Sequence, residues 1–111
     1  MATETHVIST ERALELATDR TRRRVLQYLI ENGETGVRLE ELIDVIVGGR
    51  PASDRARYAN GEQLGIELLH VHLPKLAEAG VVDYDVRSAT VRYYVTPRLE
   101  KLVRFVGDEL P

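Results

Sequence analysis

"ELLHVHLPKLAEAGVV", residues 67–82, is the stretch on which the fold turns. Apolar residues recur through it at helical spacing. A proline stands at 74 in the middle of that pattern, and Ala79-Gly80 precedes Val81 and Val82, which read as the start of a strand. Glycine just past the last helical residue is a stop signal. His70 and His72 are two apart, so on a helix they point about 200° apart at about 100° per residue. One helix cannot bring both onto one ion, for which the spacing is i, i+4. No metal site is expected. Pro74 denies the His70 carbonyl its usual donor, which predicts a kink or an exposed turn.

Working outward, the helix containing this stretch is predicted from about Glu62 to Ala79. On a regular wheel Ile66, Leu69, Leu73, Leu76 and Ala77 form the stripe expected to face the core. Leu64, Leu68 and Val71, joined by Lys75, form a second apolar stripe on the opposite side. A helix apolar on two sides is normally buried on two sides. Upstream, Ser9 or Thr10 can cap a first helix with Ala13, Leu14 and Ala17 on its inner face. Asp19 can cap a second, with Val25, Leu26, Leu29 and Ile30 inside and Gly33 at its end. Residues 33–37 read as a loop. Leu39, Leu42, Ile43 and Ile46 mark a third helix, favourably begun by Glu40 and Glu41, and "GGRPASD" (48–54) ends it.

Downstream, "VVDYDV" (81–86) and "TVRYYVT" (90–96) read as a hairpin. Thr96 then caps a last helix with Pro97 at its first position and Leu99, Leu102, Val103, Val106 and Leu110 as its stripe. The expected fold is mainly α with a β-hairpin wing, an α+β winged helix-turn-helix in the order α-α-α-α-β-β-α. Residues 1–8 are expected to be a flexible tail. Residues 9–111 form a single domain, with the wing at about 81–96 and the C-terminal helix at about 97–110.

The 111 residues carry a net charge of −3 and no cysteine, which leaves no disulfide, thiolate metal site or cysteine nucleophile. No apolar run approaches the roughly 18 residues of a membrane span, and no signal peptide is visible. A cytoplasmic protein without a membrane association is expected. No phosphate loop or catalytic triad context appears, so neither an enzyme nor a cofactor is expected. The basic residues are arginine apart from Lys75 and Lys101, and arginine suits bidentate phosphate contacts. Arg20, Arg22, Arg23 and Arg24 cluster at the start of the second helix, where positive charge opposes the helix dipole and calls for a compensating partner.

Two blocks add a resemblance. "LATDRTRRRVLQYL" (16–29) resembles the L-x-D-P-T-R-x-x-I-L-x-x-L entrance to the second helix of ArsR-type winged-helix regulators. "HLPKLAEAGVVDYD" (72–85) resembles their H-L-x-x-L-x-x-A-G-L-V passage from recognition helix into wing. The likeness spans roughly residues 10–96 and is nearest to small ArsR-like proteins common in halophilic archaea. The chain departs from the type in a long segment 48–62, in Pro74, and in lacking the cysteines of metal-sensing members.

The resemblance implies a homodimeric transcriptional regulator that binds double-stranded DNA. Candidate DNA contacts are Arg22, Arg23, Arg55, Arg57, Asn60 and Gln63, together with Arg87 and Arg92 of the wing. Candidate dimer residues are Leu14, Leu64, Leu68, Val71, Leu102 and Val106. The acidic balance and the double apolar stripe support an alternative, a winged-helix protein–protein module that does not read DNA through its fourth helix.

Overall fold

The computed structural model describes residues 7–48 and 61–109. Among them are five helices and three strands. Helix α1 is Thr10–Thr18, α2 is Arg20–Asn32, strand β1 is Val37–Arg38 and α3 is Leu39–Gly48. Helix α4 runs through residues 62–78 in three parts: an α-helical Glu62–Glu67, a π-helical turn Leu68–His72 and an α-helical Leu73–Glu78. Strands β2 (Val82–Asp85) and β3 (Thr90–Tyr93) follow, then α5 (Pro97–Glu109).

The local signals explain most boundaries. The Ser9 side chain accepts from the Arg12 N–H, and Asp19 accepts from the Arg22 N–H, so each fills an orphan donor at a helix start. Helix α4 stops in a Schellman turn. The Val81 N–H reaches the Leu76 carbonyl, the Gly80 N–H reaches the Ala77 carbonyl, and Gly80 takes φ 79°, where a side chain would be strained. At α5 the Thr96 carbonyl accepts from the Glu100 N–H, as at a helix start, while the Thr96 hydroxyl donates to the Tyr94 carbonyl.

The 33–37 loop contains a strand that pattern reading misses. Val37 pairs with Val91 and Arg38 with Thr90, which makes a three-stranded antiparallel sheet of order β1-β3-β2. Val37, Val82, Val91 and Tyr93 turn inward, while Arg38, Asp83, Asp85 and Arg92 are exposed. The core joins this inner face to Leu16, Leu26 and Leu29, to Leu42 and Ile46, and to Leu99 and Val103. Ile8 belongs to it as well, and its carbonyl accepts from Arg98, so residue 8, expected in the tail, packs with the domain.

Helix α4 departs most from its expected facing. Leu64 and Leu68, placed on the outer stripe by the wheel, are fully buried beside Leu73 and Leu76, while Ile66 and Leu69, placed inside, are exposed. The π turn is the cause. The Leu73 N–H bonds to the Leu68 carbonyl, five residues back, and this wider turn holds about one residue more than an α turn. The phase after it lags, which brings Leu64, Leu68, Leu73 and Leu76 onto one face. Pro74 supplies the reason for the turn: it has no N–H and would crowd the His70 carbonyl in a regular helix.

Candidate nucleic-acid interface

The arginine cluster on α2 is divided between the interior and the surface. Arg22 and Arg23 are each only 6% exposed. The Arg22 guanidinium donates through Nε to the Leu16 carbonyl (3.1 Å) and through Nη2 to the Glu15 carbonyl (2.9 Å). Arg23 donates through Nη1 to the Ala17 carbonyl (3.1 Å), with Thr18 at 3.4 Å. The last carbonyls of α1 carry the negative end of its dipole and no basic residue of their own. The start of α2 provides the missing cations, and the α1 carbonyls are the compensating partners that the charge cluster requires. Neither side chain is placed to grip a phosphate.

The other candidates fall into three groups. Arg55, Arg57 and Asn60 lie outside the described residues. Gln63 is exposed on the first turn of α4. Arg87 is exposed in the turn between β2 and β3, its N–H held by the Asp85 carboxylate at 3.0 Å. Arg92 lies on the solvent face of β3, directly opposite Asp83, with its guanidinium 5.5 Å from the centre of the Tyr94 ring. The Tyr94 hydroxyl donates to Asp83, and the Asp83 and Asp85 carboxylates stay exposed beside Arg92. Arg38, which the sequence reading did not single out, shares this sheet face because its partner Thr90 is two residues from Arg92.

The outward side of α4 carries Gln63, Ile66, Glu67, His70, Val71 and Pro74, none of them cationic. Helix α3 exposes Glu40, Glu41 and Asp44. The Tyr28 hydroxyl donates to Glu41, and this bond raises the Tyr28 phenol above its ordinary range. Exposed cations lie on the sheet side as Arg38, Arg87 and Arg92, beside the exposed Asp83 and Asp85, and on α5 as Arg98, Lys101 and Arg104.

The expected dimer residues do not form one surface. Leu64 and Leu68 are buried within this chain and cannot serve, and Val106 is nearly covered. Leu14, Val71 and part of Leu102 remain accessible. Phe105, the chain's only phenylalanine, is 62% exposed on α5 and was missed. It lies one turn from Leu102, on the side away from the buried Leu99 and Val103, a spacing that could have marked it.

The two histidines part company as their spacing predicts: His70 is exposed and His72 is buried. Among the described residues no group of three or more His, Asp or Glu side chains could hold a metal ion. No described helix is long and apolar enough to cross a membrane.

These features define a small α+β domain with Arg38 and Arg92 on the solvent face of a three-stranded sheet. The chain belongs to the family described as Domain of unknown function (DUF7344), whose profile matches residues 14–92. No curated protein and no solved structure matches it.

Proposed function

We propose that the chain is a winged-helix DNA-binding regulator acting as a homodimer, with its hairpin as the principal DNA contact. One observation carries this reading. The β2–β3 hairpin directly follows α4 and projects Arg87 from its turn, with Arg92 and Arg38 on its solvent side. The strand order β1-β3-β2, with α3 and α4 between β1 and β2, supports the reading, since it sets two consecutive helices directly before the hairpin. Phosphate contacts from the wing position such a domain on a duplex. Gln63, at the start of α4, is the side chain available for a base edge. For self-association the accessible apolar residues of α1 and α5, Leu14 with Leu102 and Phe105, are the natural surface.

Fluorescence anisotropy with duplex DNA across a salt series tests this reading. Each lost phosphate contact lowers the slope of log K against log salt by about 0.9. The Arg87→Ala, Arg92→Ala double variant should therefore lower it by about 2. No binding to any duplex at moderate salt, or an unchanged slope in the double variant, would overturn the proposal. Light scattering tests the dimer, which Phe105→Glu should dissociate. A wild-type monomer at high concentration would rule it out.

A second reading, a protein–protein module, is favoured by one specific observation: α4 exposes Ile66 and Val71, and its one Lys or Arg, Lys75, is taken by Glu15. Such a surface is poorly suited to phosphates and better suited to an apolar partner.

A further inference from the structure

His72 is the buried titratable group that the proposed function leaves unused. It is 5% exposed and closes the π turn of α4. Charged groups of α2, its cap and α4 face it at the joint between α4 and the α1–α2 corner. Its Nδ1 lies 3.4 Å from Arg22 Nη1 and 4.0 Å from Asp19 Oδ1, and its Nε2 lies 3.8 Å from Glu67 Oε1. Behind Arg22 stands Glu15, whose carboxylate takes Lys75 Nζ at 3.1 Å and is held below the usual carboxylate range chiefly by that lysine. A second tie, Arg12 to Glu78 at 3.0 Å, joins α1 to the end of α4.

The 3.4 Å approach fixes the chemistry. A guanidinium can only donate, so Nδ1 must accept, and the ring proton of neutral His72 sits on Nε2 toward Glu67. A second proton would go onto Nδ1. That nitrogen would then offer an N–H to a cation, and the contact with Arg22 would become repulsive. The imidazolium is drawn instead to Asp19 and Glu67, each a few tenths of an ångström beyond hydrogen-bonding range. Asp19 and Arg22 both belong to the corner, one as the cap of α2 and the other as the clamp on α1. Exchanging one for the other therefore shifts α4 against that corner. The shift falls on the π turn, the least regular part of α4.

We propose that His72 is a proton-responsive joint. When neutral it is tied to Arg22. When protonated it is tied to Asp19 and Glu67, with a different seating of the π turn on the α1–α2 corner. The joint does not depend on what the domain binds.

NMR on the full chain between about pH 8 and pH 5 tests this, following both the imidazole and the backbone amides. The amides of residues 19–23 and 68–73 should shift with the same midpoint as the His72 ring. His72→Gln keeps an acceptor but cannot titrate, so it should lose those shifts. His70→Gln, changed at an exposed site, should keep them. Should His72→Gln fail to fold by circular dichroism, Glu67→Gln serves: it removes a carboxylate that favours the imidazolium and should move the His72 midpoint to lower pH. The proposal is overturned if the corner amides stay still while His72 titrates, or if His72 remains neutral down to acid unfolding. Shifts that persist in His72→Gln, or a midpoint unmoved in Glu67→Gln, would overturn it equally.

Discussion

Replacing Leu68 and Leu69 by alanine, one at a time, tests the facing of α4. The two residues are neighbours of identical composition, so helix propensity cancels between the variants. Leu68 is fully buried within the π turn, whereas Leu69 is 39% exposed. Truncating a buried leucine loses its transfer free energy and leaves a cavity, about 3 kcal/mol together. For a domain of this size that lowers Tm by about 12 °C. Leu69 keeps much of its surface in water, and its truncation should cost less than about 1 kcal/mol. Urea unfolding followed by far-UV circular dichroism measures both, with the slope m expected to match wild type. A regular helix of constant pitch demands the reverse ranking. A loss from Leu69→Ala equal to or above that from Leu68→Ala would refute the π-turn account.

Other perturbations examine different joints. Arg22→Ala removes two charge-assisted bonds to the Leu16 and Glu15 carbonyls and should cost about 3 kcal/mol by the same urea assay. Gly33→Ala would place a Cβ 2.8 Å from the Leu29 carbonyl oxygen and 3.0 Å from the Tyr93 Cβ. Calorimetry should show a loss of about 1–3 kcal/mol from overpacking where α2 meets β3. Burial and, next, the hydrogen bond to Glu100 raise the Tyr93 phenol above its ordinary value. The folded chain therefore holds this proton more tightly than the unfolded chain. The stability it lends is complete below about pH 10 and is lost as pH rises toward the folded value. Tyr93→Phe should make the fall of the urea midpoint above about pH 10 shallower than in wild type.

What the sequence made legible was what a few neighbouring residues decide. Ser9, Asp19 and Gly80 act within one turn of the chain, and each sits where its chemistry predicts. The facing of α4 was not legible because a wheel assumes constant pitch. Pro74 announces a disturbance but not whether it becomes a kink or a wider turn. Strand β1 escaped because two residues carry no period, and only their pairing with Val91 and Thr90 makes them a strand. Arg22 and Arg23 read as surface cations because nothing local shows that the preceding helix ends within their reach. That depends on the angle at which α1 meets α2, set by packing around Leu16 and Leu26. The exposure of Arg92 was legible, since an alternating strand fixes which side chains face water.

The two-residue strand β1 also bears on the order in which the molecule assembles. The β2–β3 hairpin joins residues close in sequence and can close on the order of microseconds. Strand β1 meets β3 only after a long loop containing both α3 and α4 has closed, at a much greater entropic cost. The Leu39 N–H, which begins α3, bonds to the Ala89 carbonyl in the turn of that same hairpin. The first residues of α3 are therefore seated by a latch that engages late and rests on very few hydrogen bonds. In native-state hydrogen exchange the amides of residues 37–39 should therefore exchange through a local opening that leaves the hairpin and the helices behind it folded.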